Sequence, residues 1–317
     1  MSLKIMIPYM NQTQLDRLHE ITQDVEFLHP KDWDEAVAMA PDLDATYFFC
    51  TEAILEAAPK LRWIQVGSAG VERYPLQKIK ERNIPFTNAK EIYGIQLADH
   101  TMALILAFSR QLPFSFRAQQ DRDWKNRKLF PSGELSGETL LVVGLGGTGL
   151  ETARRASAFG MRILATRRRT DQPVPNFIEA VHPPEALHNL LPESDWVAVC
   201  LPLTHHTRDT FHDAEFDLMK ENATIVCVTR GGIINTEALI RALDGKKIAG
   251  AGLDVTDPEP LPSDHPLWGY ENVIITPHAS GHSPHAKTRM FNLFCENLKR
   301  FVNNDPLINV VDLDLQY

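Results

Sequence analysis

Cysteine is scarce in this chain of 317 residues, and long apolar runs are missing. The four cysteines, Cys50, Cys200, Cys227 and Cys295, are widely spaced, which argues against a disulfide framework and favours a reducing compartment, so we expect a cytoplasmic protein. No run of about 18 or more apolar residues is present, so we expect no transmembrane helix. The first residues lack the pattern of a signal peptide. No set of His, Cys and Asp residues has the spacing of metal ligands, so we expect no metal site.

An excess of basic residues is also missing. Lys and Arg number 32 against 41 Asp and Glu, which gives a formal net charge of −9. A negative surface repels a phosphate backbone, so we expect no nucleic-acid partner. The most basic stretch, Arg167-Arg168-Arg169, is only three residues long.

The order of short apolar strands and helical segments indicates two α/β domains. A length of 317 residues fits two domains of roughly 100–200 residues each. Strands alternate with helices throughout, which is typical of parallel sheets with helices on both faces. The periodicity predicts one long helix over Glu91–Leu112 and a last helix over about His285–Asn303 that packs back on the first domain. We therefore predict a first domain of residues 1–100 plus 285–317 and a second domain of residues 101–284.

Glycine is concentrated after a predicted strand, Thr139–Val143. The sequence there reads Gly144-Leu-Gly146-Gly147-Thr148-Gly149 and continues as a helical run to Ala158. In such a loop the first glycine makes the turn, the second lets the backbone approach a pyrophosphate, and the third lets helix and strand pack closely. The helix N-terminus offers N–H groups to the phosphates. The pattern predicts a dinucleotide bound by Gly144, Gly146, Gly147, Thr148 and Gly149.

An acidic residue is missing where an NAD-binding domain usually has one, about 20 residues after the glycine loop. The next predicted strand, Arg162–Ala165, runs instead into Thr166-Arg167-Arg168. The guanidinium of arginine and the hydroxyl of threonine can bind a 2′-phosphate by charge-assisted hydrogen bonds, whereas an aspartate would repel it. The pattern therefore predicts a preference for NADP(H), with NAD still possible. The alternative is a solvated basic turn and a cofactor held in another way.

Unusual polar residues follow three later predicted strands. Arg230 follows Thr224–Val228, Asp254 and Glu259 follow Ile248–Leu253, and His278 follows Val273–Thr276. In an open α/β sheet, ligands bind outside the carboxyl ends of the strands. We therefore expect these side chains to converge on the cofactor.

Several motifs in fixed order resemble those of the D-2-hydroxyacid dehydrogenase family, over nearly the whole chain. They are the glycine loop, Leu201-Pro202-Leu203-Thr204, Thr229-Arg230-Gly231-Gly232, Gly252-Leu253-Asp254-Val255, Glu259-Pro260 and Thr276-Pro277-His278. The resemblance implies two Rossmann-like, doubly wound parallel-sheet domains, the N-terminal one flavodoxin-like and discontinuous. It also implies hydride transfer between a nicotinamide dinucleotide and a small 2-ketoacid or D-2-hydroxyacid. The basic turn makes NADP(H) the expected dinucleotide, and glyoxylate and hydroxypyruvate are the first expected substrates. A homodimer with an arm within residues 112–140 is implied as well.

The same resemblance implies roles for individual residues. Arg230 would bind the substrate carboxylate and keto oxygen, His278 would protonate the carbonyl oxygen, and Glu259 would orient His278 and favour its imidazolium form. His100, on the long helix, is expected at a hinge or an interface. The backbone N–H groups of Ser68, Ala69 and Gly70 would bind the substrate carboxylate. Asp254 would accept a hydrogen bond from the nicotinamide carboxamide, and the further residues expected against the cofactor are Leu201, Pro202, Thr229, His278 and Gly281.

Two alternatives remain at this point. One is an NAD-dependent D-2-hydroxyacid dehydrogenase with another substrate. The other is a binding protein that senses dinucleotides without turnover, because the same fold serves different functions.

Overall fold

The computed structural model describes residues 2–124 and 132–317, and the chain divides into two compact units. The first unit is Met1–Ile92 with Ser283–Tyr317, and the second is Tyr93–His282. The changes of unit lie eight and two residues before the boundaries predicted at 100/101 and 284/285. The arm predicted over residues 112–140 includes residues 125–131, and that part of the prediction lies outside the described residues.

The first unit contains a five-stranded parallel sheet. Its strands are β1 (Leu3–Met6), β2 (Val25–Leu28), β3 (Ala45–Tyr47), β4 (Trp63–Gln65) and β5 (Phe86–Thr87). Their order in the sheet is β2-β1-β3-β4-β5, which is the flavodoxin-like order of doubly wound folds. The helices of this unit are α1 (Gln12–Ile21), α2 (Trp33–Met39), α3 (Glu52–Ala57), α4 (Leu76–Glu81) and α11 (Ala286–Asn303).

Polar residues at the helix starts explain several boundaries in the first unit. Thr51 caps α3, because its hydroxyl accepts a hydrogen bond from the Ile54 N–H at 3.3 Å. Asp32 caps α2 in the same way through the Glu35 N–H at 2.8 Å. The last helix, α11, belongs to this unit as predicted, and its Phe294 ring is fully buried and stacks on Tyr47 with centroids 4.2 Å apart. The first unit is therefore discontinuous in sequence.

The second unit contains a seven-stranded parallel sheet. Its strands are β6 (Thr139–Val143), β7 (Arg162–Thr166), β8 (Ala180–His182), β9 (Trp196–Val199), β10 (Thr224–Cys227), β11 (Gly250–Leu253) and β12 (Val273–Ile275). Their order is β12-β11-β10-β9-β6-β7-β8, which contains the strand order of a dinucleotide-binding Rossmann sheet. The helices are α5 (Gly94–Ser109), α6 (Leu112–Gln120), α7 (Gly147–Ala158), α8 (Leu187–Leu190), α9 (Asp213–Leu218) and α10 (Thr236–Asp244).

The long helix predicted over Glu91–Leu112 is wrong at both ends. It begins at Gly94 and ends at Ser109, and the chain then turns at Gln111, whose φ of 52° is left-handed, before α6 begins. Pro113 has no N–H with which to continue the helical ladder. The carbonyl of Ser109 is bonded instead by the Gly133 N–H at 2.8 Å. The helix therefore gives way to a second, shorter one.

The central strands of the second unit are buried on both faces. Every residue of β6, β9 and β10 is buried, as expected for a parallel sheet covered by helices on both sides. The four cysteines are buried and unpaired. In residues 2–124 and 132–317, no helix is long and apolar enough to span a bilayer, and no group of three potential metal ligands occurs.

Candidate active site

The glycine loop joins β6 to α7, and each of its three glycines has a distinct surrounding. Gly144 has a φ of +100°, which only glycine adopts readily. A β-carbon on Gly149 would lie 2.1 Å from the carbonyl oxygen of Gly144, so the absence of a side chain lets α7 pack against the loop. A β-carbon on Gly146 would meet nothing within 4 Å among the described residues. The loop is thus tight at its first and third glycines and open at its second.

The start of α7 fits the diphosphate of a dinucleotide. Among the described residues no side chain caps this twelve-residue helix, which begins with Gly147 and Thr148 after Gly146. Uncapped N–H groups and the helix dipole favour an anion at this point. Leu201 and Pro202 follow β9, which pairs with β6, so they lie at the edge of the sheet where the strand order reverses. Gly144, Gly146, Gly147, Thr148 and Gly149 would hold the phosphates there.

Some polar side chains of the turn after β7 form hydrogen bonds within the protein. Thr166 is buried, and its hydroxyl accepts a hydrogen bond from the Gly144 N–H at 3.3 Å. The guanidinium of Arg167 donates to the carbonyls of Gln172 and Pro173. Arg168 and Arg169 are exposed. Of the three residues predicted to contact a 2′-phosphate, Thr166 and Arg167 therefore have the partners named above, within the protein.

His278 and Glu259 form a direct pair. The Nδ1 atom of His278 lies 2.5 Å from Oε1 of Glu259, and both side chains are about one-third exposed, 38% and 34%. His278 adopts a left-handed backbone with φ 50°, which is uncommon outside glycine. Since Nδ1 is bonded to the carboxylate, Nε2 remains as the ring nitrogen that can exchange a proton with a ligand.

Arg230 lies in a loop that packs tightly against the segment leading to Glu259. A β-carbon on Gly231 would lie 1.9 Å from the carbonyl oxygen of Thr256, and one on Gly232 would lie 3.0 Å from the carboxylate of Asp257. The guanidinium of Arg230 donates to the Thr229 carbonyl at 2.8 Å. The pair Gly231-Gly232 thus brings the loop with Arg230 against the segment that carries Glu259.

Asp254 binds the segment that carries His278. Its side chain is fully buried, and its carboxylate accepts from the Thr276 hydroxyl at 2.5 Å and from the N–H groups of Ala279 and Ser280 at 2.9 Å each. Burial tends to raise the pKa of Asp254, but the hydrogen bonds from Ser280, Thr276 and Ala279 outweigh it and hold the pKa below its ordinary value. These partners lie within the protein, whereas the sequence predicted a partner in the nicotinamide carboxamide.

Ser68, Ala69 and Gly70 form a loop of the first unit whose carbonyl oxygens are all occupied. The Ser68 carbonyl accepts from the Ala89 N–H at 2.9 Å, and the Ala69 carbonyl accepts from the Asn88 amide at 2.6 Å. The Ser68 hydroxyl donates to the Gly70 carbonyl at 2.7 Å. Because the carbonyl oxygens of this loop are already bonded within the protein, its N–H groups are the backbone groups suited to bind an anion.

Two residues of α5 that the sequence analysis did not assign to the site contact the segment carrying His278. The ring of His100 lies 2.9 Å from the Thr276 hydroxyl, and the amide of Gln96 donates to the Gly281 carbonyl at 3.1 Å. His100 was expected at a hinge or an interface. A signal was present, because the two polar residues are four positions apart and therefore on one face of a largely apolar helix.

Comparison with known proteins gives a consistent family. The model of the D-isomer specific 2-hydroxyacid dehydrogenase, NAD binding domain, matches residues 102–280. A glyoxylate reductase of Korarchaeum cryptofilum is 35% identical over 291 residues, which cover 90% of this chain and 84% of the relative. A D-3-phosphoglycerate dehydrogenase of Methanocaldococcus jannaschii is 34% identical over 83% of this chain and 50% of the relative. The apo crystal structure of D-mandelate dehydrogenase from Rhodotorula graminis superposes with a TM-score of 0.84 at 25% identity, covering 98% of each chain.

Proposed function

Because this chain belongs to the D-isomer specific 2-hydroxyacid dehydrogenase family and is a dehydrogenase that uses a nicotinamide dinucleotide, we propose that it reduces a small 2-ketoacid with NADPH as the preferred donor. Glyoxylate and hydroxypyruvate are the first substrates proposed. The similarity to the glyoxylate reductase of K. cryptofilum supports this choice. The observation that carries the chemistry is the direct pair of His278 and Glu259.

His278 is proposed as the proton donor for the carbonyl oxygen of the ketoacid. Its Nδ1 is held 2.5 Å from the Glu259 carboxylate, which orients the ring. The proton then leaves from Nε2 as the carbonyl carbon receives the hydride, and it returns to Nε2 in the reverse reaction. The bound dinucleotide supplies or accepts that hydride.

Each unit contains groups whose chemistry suits a carboxylate, and they are proposed here separately. On the second unit, the guanidinium of Arg230 can fork onto carboxylate and keto oxygens, which a lysine does poorly. In the first unit, the N–H groups of Ser68, Ala69 and Gly70 are proposed to bind the carboxylate of a substrate, because the carbonyls of this loop are already bonded. Thr229, Asp254 and Gly281 are proposed to lie against the dinucleotide.

The preference for NADPH rests on charge at the end of β7. No acidic residue stands among Thr166, Arg167 and Arg168, so a 2′-phosphate would meet no repulsion from this turn. Arg168 is exposed there and is the residue proposed to bind the phosphate most directly.

A second candidate function is an NAD-dependent dehydrogenase for another D-2-hydroxyacid. The internal hydrogen bonds of Thr166 and Arg167 favour it, because these two side chains are already engaged before any phosphate binds. The two candidates differ in cofactor and substrate but share the roles of Arg230, Glu259 and His278.

A homodimer and a cytoplasmic location complete the proposal. Helix α6 has no buried residue, and the side chains of Leu112 and Phe116 are 39% and 58% exposed, with Trp124 just beyond the helix 86% exposed. Apolar side chains exposed together are typical of a surface that binds a partner, here a second copy of the chain. The four buried, unpaired cysteines are typical of a reducing compartment.

The test is a panel of 2-ketoacids assayed with NADPH and NADH in parallel. We expect glyoxylate and hydroxypyruvate to give the highest kcat/KM, and NADPH to exceed NADH by about tenfold, the effect of one charge-assisted contact. His278→Gln should lower kcat by about 10²–10⁴-fold. His282→Gln, an exposed histidine four residues further on, serves as the matched control and should leave kcat unchanged.

Three other results would each contradict a different part of the proposal. A clear preference for NADH would select the second candidate function. Absence of turnover with every ketoacid and both cofactors, with dinucleotide binding intact, would refute the proposed activity. A His278→Gln variant with wild-type kcat would remove His278 from the proton transfer.

A further inference from the structure

The segment that carries His278 is held at several points by buried groups. On one side of His278, the Thr276 hydroxyl donates to Asp254 at 2.5 Å; on the other, Ala279 and Ser280 donate to the same carboxylate at 2.9 Å. The His278 N–H donates to the Asp254 carbonyl at 2.8 Å. Asp254 is thus hydrogen-bonded to residues on both sides of His278, whose φ is left-handed.

Helix α5 holds both ends of this same segment. His100 Nε2 lies 2.9 Å from the Thr276 hydroxyl at the start, and Gln96 donates to the Gly281 carbonyl at 3.1 Å at the end. The two residues are four positions apart and so lie one turn apart on one face of the helix. Helix α5 itself is held on α7, where Asp99 pairs with Arg155 at 2.6 Å.

The direction of the bond from His100 follows from proton counting. A threonine hydroxyl has one proton, and Thr276 lies 2.5 Å from the Asp254 carboxylate, which can only accept when ionised. The low pKa of Asp254 keeps it ionised at neutral pH. The Thr276 oxygen must therefore accept from His100, so the Nε2 atom of His100 carries a proton.

We propose that His100 and Gln96 are positioning residues, which hold the two ends of the Thr276–Gly281 segment so that His278 stays in its bent, left-handed conformation against Glu259. Neither residue needs to touch the substrate. This inference rests on the proposed function of His278 as the proton donor. Its consequence is that α5 sets the geometry of proton transfer from outside the reacting groups.

The test compares His100→Leu and Gln96→Leu with variants that keep the donor. A misplacement of about 1 Å costs roughly 10²-fold in rate, so we expect each leucine variant to lower kcat by about tenfold to a hundredfold. The KM for glyoxylate should not change, and neither should the Kd for NADPH, which is measured by fluorescence. Neither residue is proposed to bind these ligands. His100→Gln, whose amide can donate to Thr276, should recover most of the lost kcat.

Asp99→Asn is the matched control on the same helix. Asp99 lies next to His100 and pairs with Arg155, so the variant removes a contact of α5 without touching the His278 segment. We expect its kcat to equal that of the wild type. Thr276→Val removes the acceptor of the His100 bond together with the donor to Asp254, so adding His100→Leu to Thr276→Val should lower kcat no further than Thr276→Val alone.

Wild-type kcat in both leucine variants would overturn the proposal. A loss of kcat accompanied by weaker NADPH binding and a large fall in Tm would also overturn it, because both residues would then act by general stability. If His100→Leu fails to fold, Thr276→Val is compared with Thr276→Ser, which keeps the hydroxyl that contacts both His100 and Asp254. Wild-type kcat in Thr276→Val would then overturn the proposal. His278→Gln tests the proposed function separately: if it retains activity, that function fails whatever the α5 variants show.

Discussion

Replacement of Gly231 by alanine should separate the geometry of the Arg230 loop from cofactor binding. A β-carbon at this position would lie 1.9 Å from the carbonyl oxygen of Thr256 and 2.4 Å from its carbonyl carbon. Both contacts are with backbone, so no side-chain rotation relieves them. The backbone of Gly231 has no positive φ, so crowding alone is tested.

The size of the effect follows from that contact. An ordinary contact to a β-carbon needs about 3.4 Å, so the Arg230 loop and the segment at Thr256 must separate by about 1.5 Å. Displacements of about 1 Å in a reacting geometry cost roughly 10²-fold in rate, so kcat/KM should fall by about that factor. Overpacking costs about 1–3 kcal/mol of stability. At about 2–4 °C per kcal/mol, Tm should fall by several degrees.

The assay measures kcat/KM for glyoxylate with NADPH, alongside NADPH affinity by fluorescence. Gly269→Ala is the matched control, since a β-carbon there meets nothing within 4 Å among the described residues and the φ of Gly269 is not positive. We expect Gly269→Ala to behave as the wild type. If Gly231→Ala retains wild-type kcat/KM, close packing of these loops does not set the position of Arg230. Equal losses in both variants would show that crowding is not the cause.

Three further predictions concern charge in the second unit. Glu259→Gln keeps the shape of the side chain beside His278 but removes its charge, and should lower kcat by about tenfold or more without changing the NADPH Kd. Arg168→Glu should reverse or abolish the preference for NADPH in kinetics with both cofactors; an unchanged ratio would remove Arg168 from phosphate binding. Asp254 has a pKa below its ordinary value of 3.8, so its stabilisation is complete above that value and is lost as the pH falls through the lower, folded value. Asp254→Asn should therefore cost about 2 kcal/mol at pH 7 in urea unfolding, and the difference from wild type should shrink in acid.

Local patterns made the glycine loop predictable from sequence. Strand β6 was predicted with its observed bounds, because five consecutive apolar or β-branched residues are followed at once by Gly144. The two parallel sheets also agree with prediction, since strands that alternate with helices are typical of parallel sheets covered by helices on both faces. Short elements were missed: β5 has two residues and β8 has three, which is too few to show a period.

Contacts between distant residues were not predictable in the same way. The sequence placed Asp254 at a strand end, but its partners Thr276, Ala279 and Ser280 lie 22–26 positions further along and depend on how that later segment turns. His100 is 176 positions from Thr276, so only the packing of α5 brings them together. Thr166 is similar: its hydroxyl was read as a phosphate ligand, whereas the structure bonds it to the N–H of Gly144.

The left-handed backbone at His278 also bears on how this protein responds to selection. A residue with a β-carbon at φ 50° is destabilised by about 1–2 kcal/mol relative to glycine, and asparagine tolerates the conformation better than most residues. A library selected for heat resistance alone should therefore enrich glycine or asparagine at position 278. Those clones would have lost the proposed proton donor. At this position thermal tolerance and turnover are expected to oppose each other, so histidine would persist only where turnover is selected.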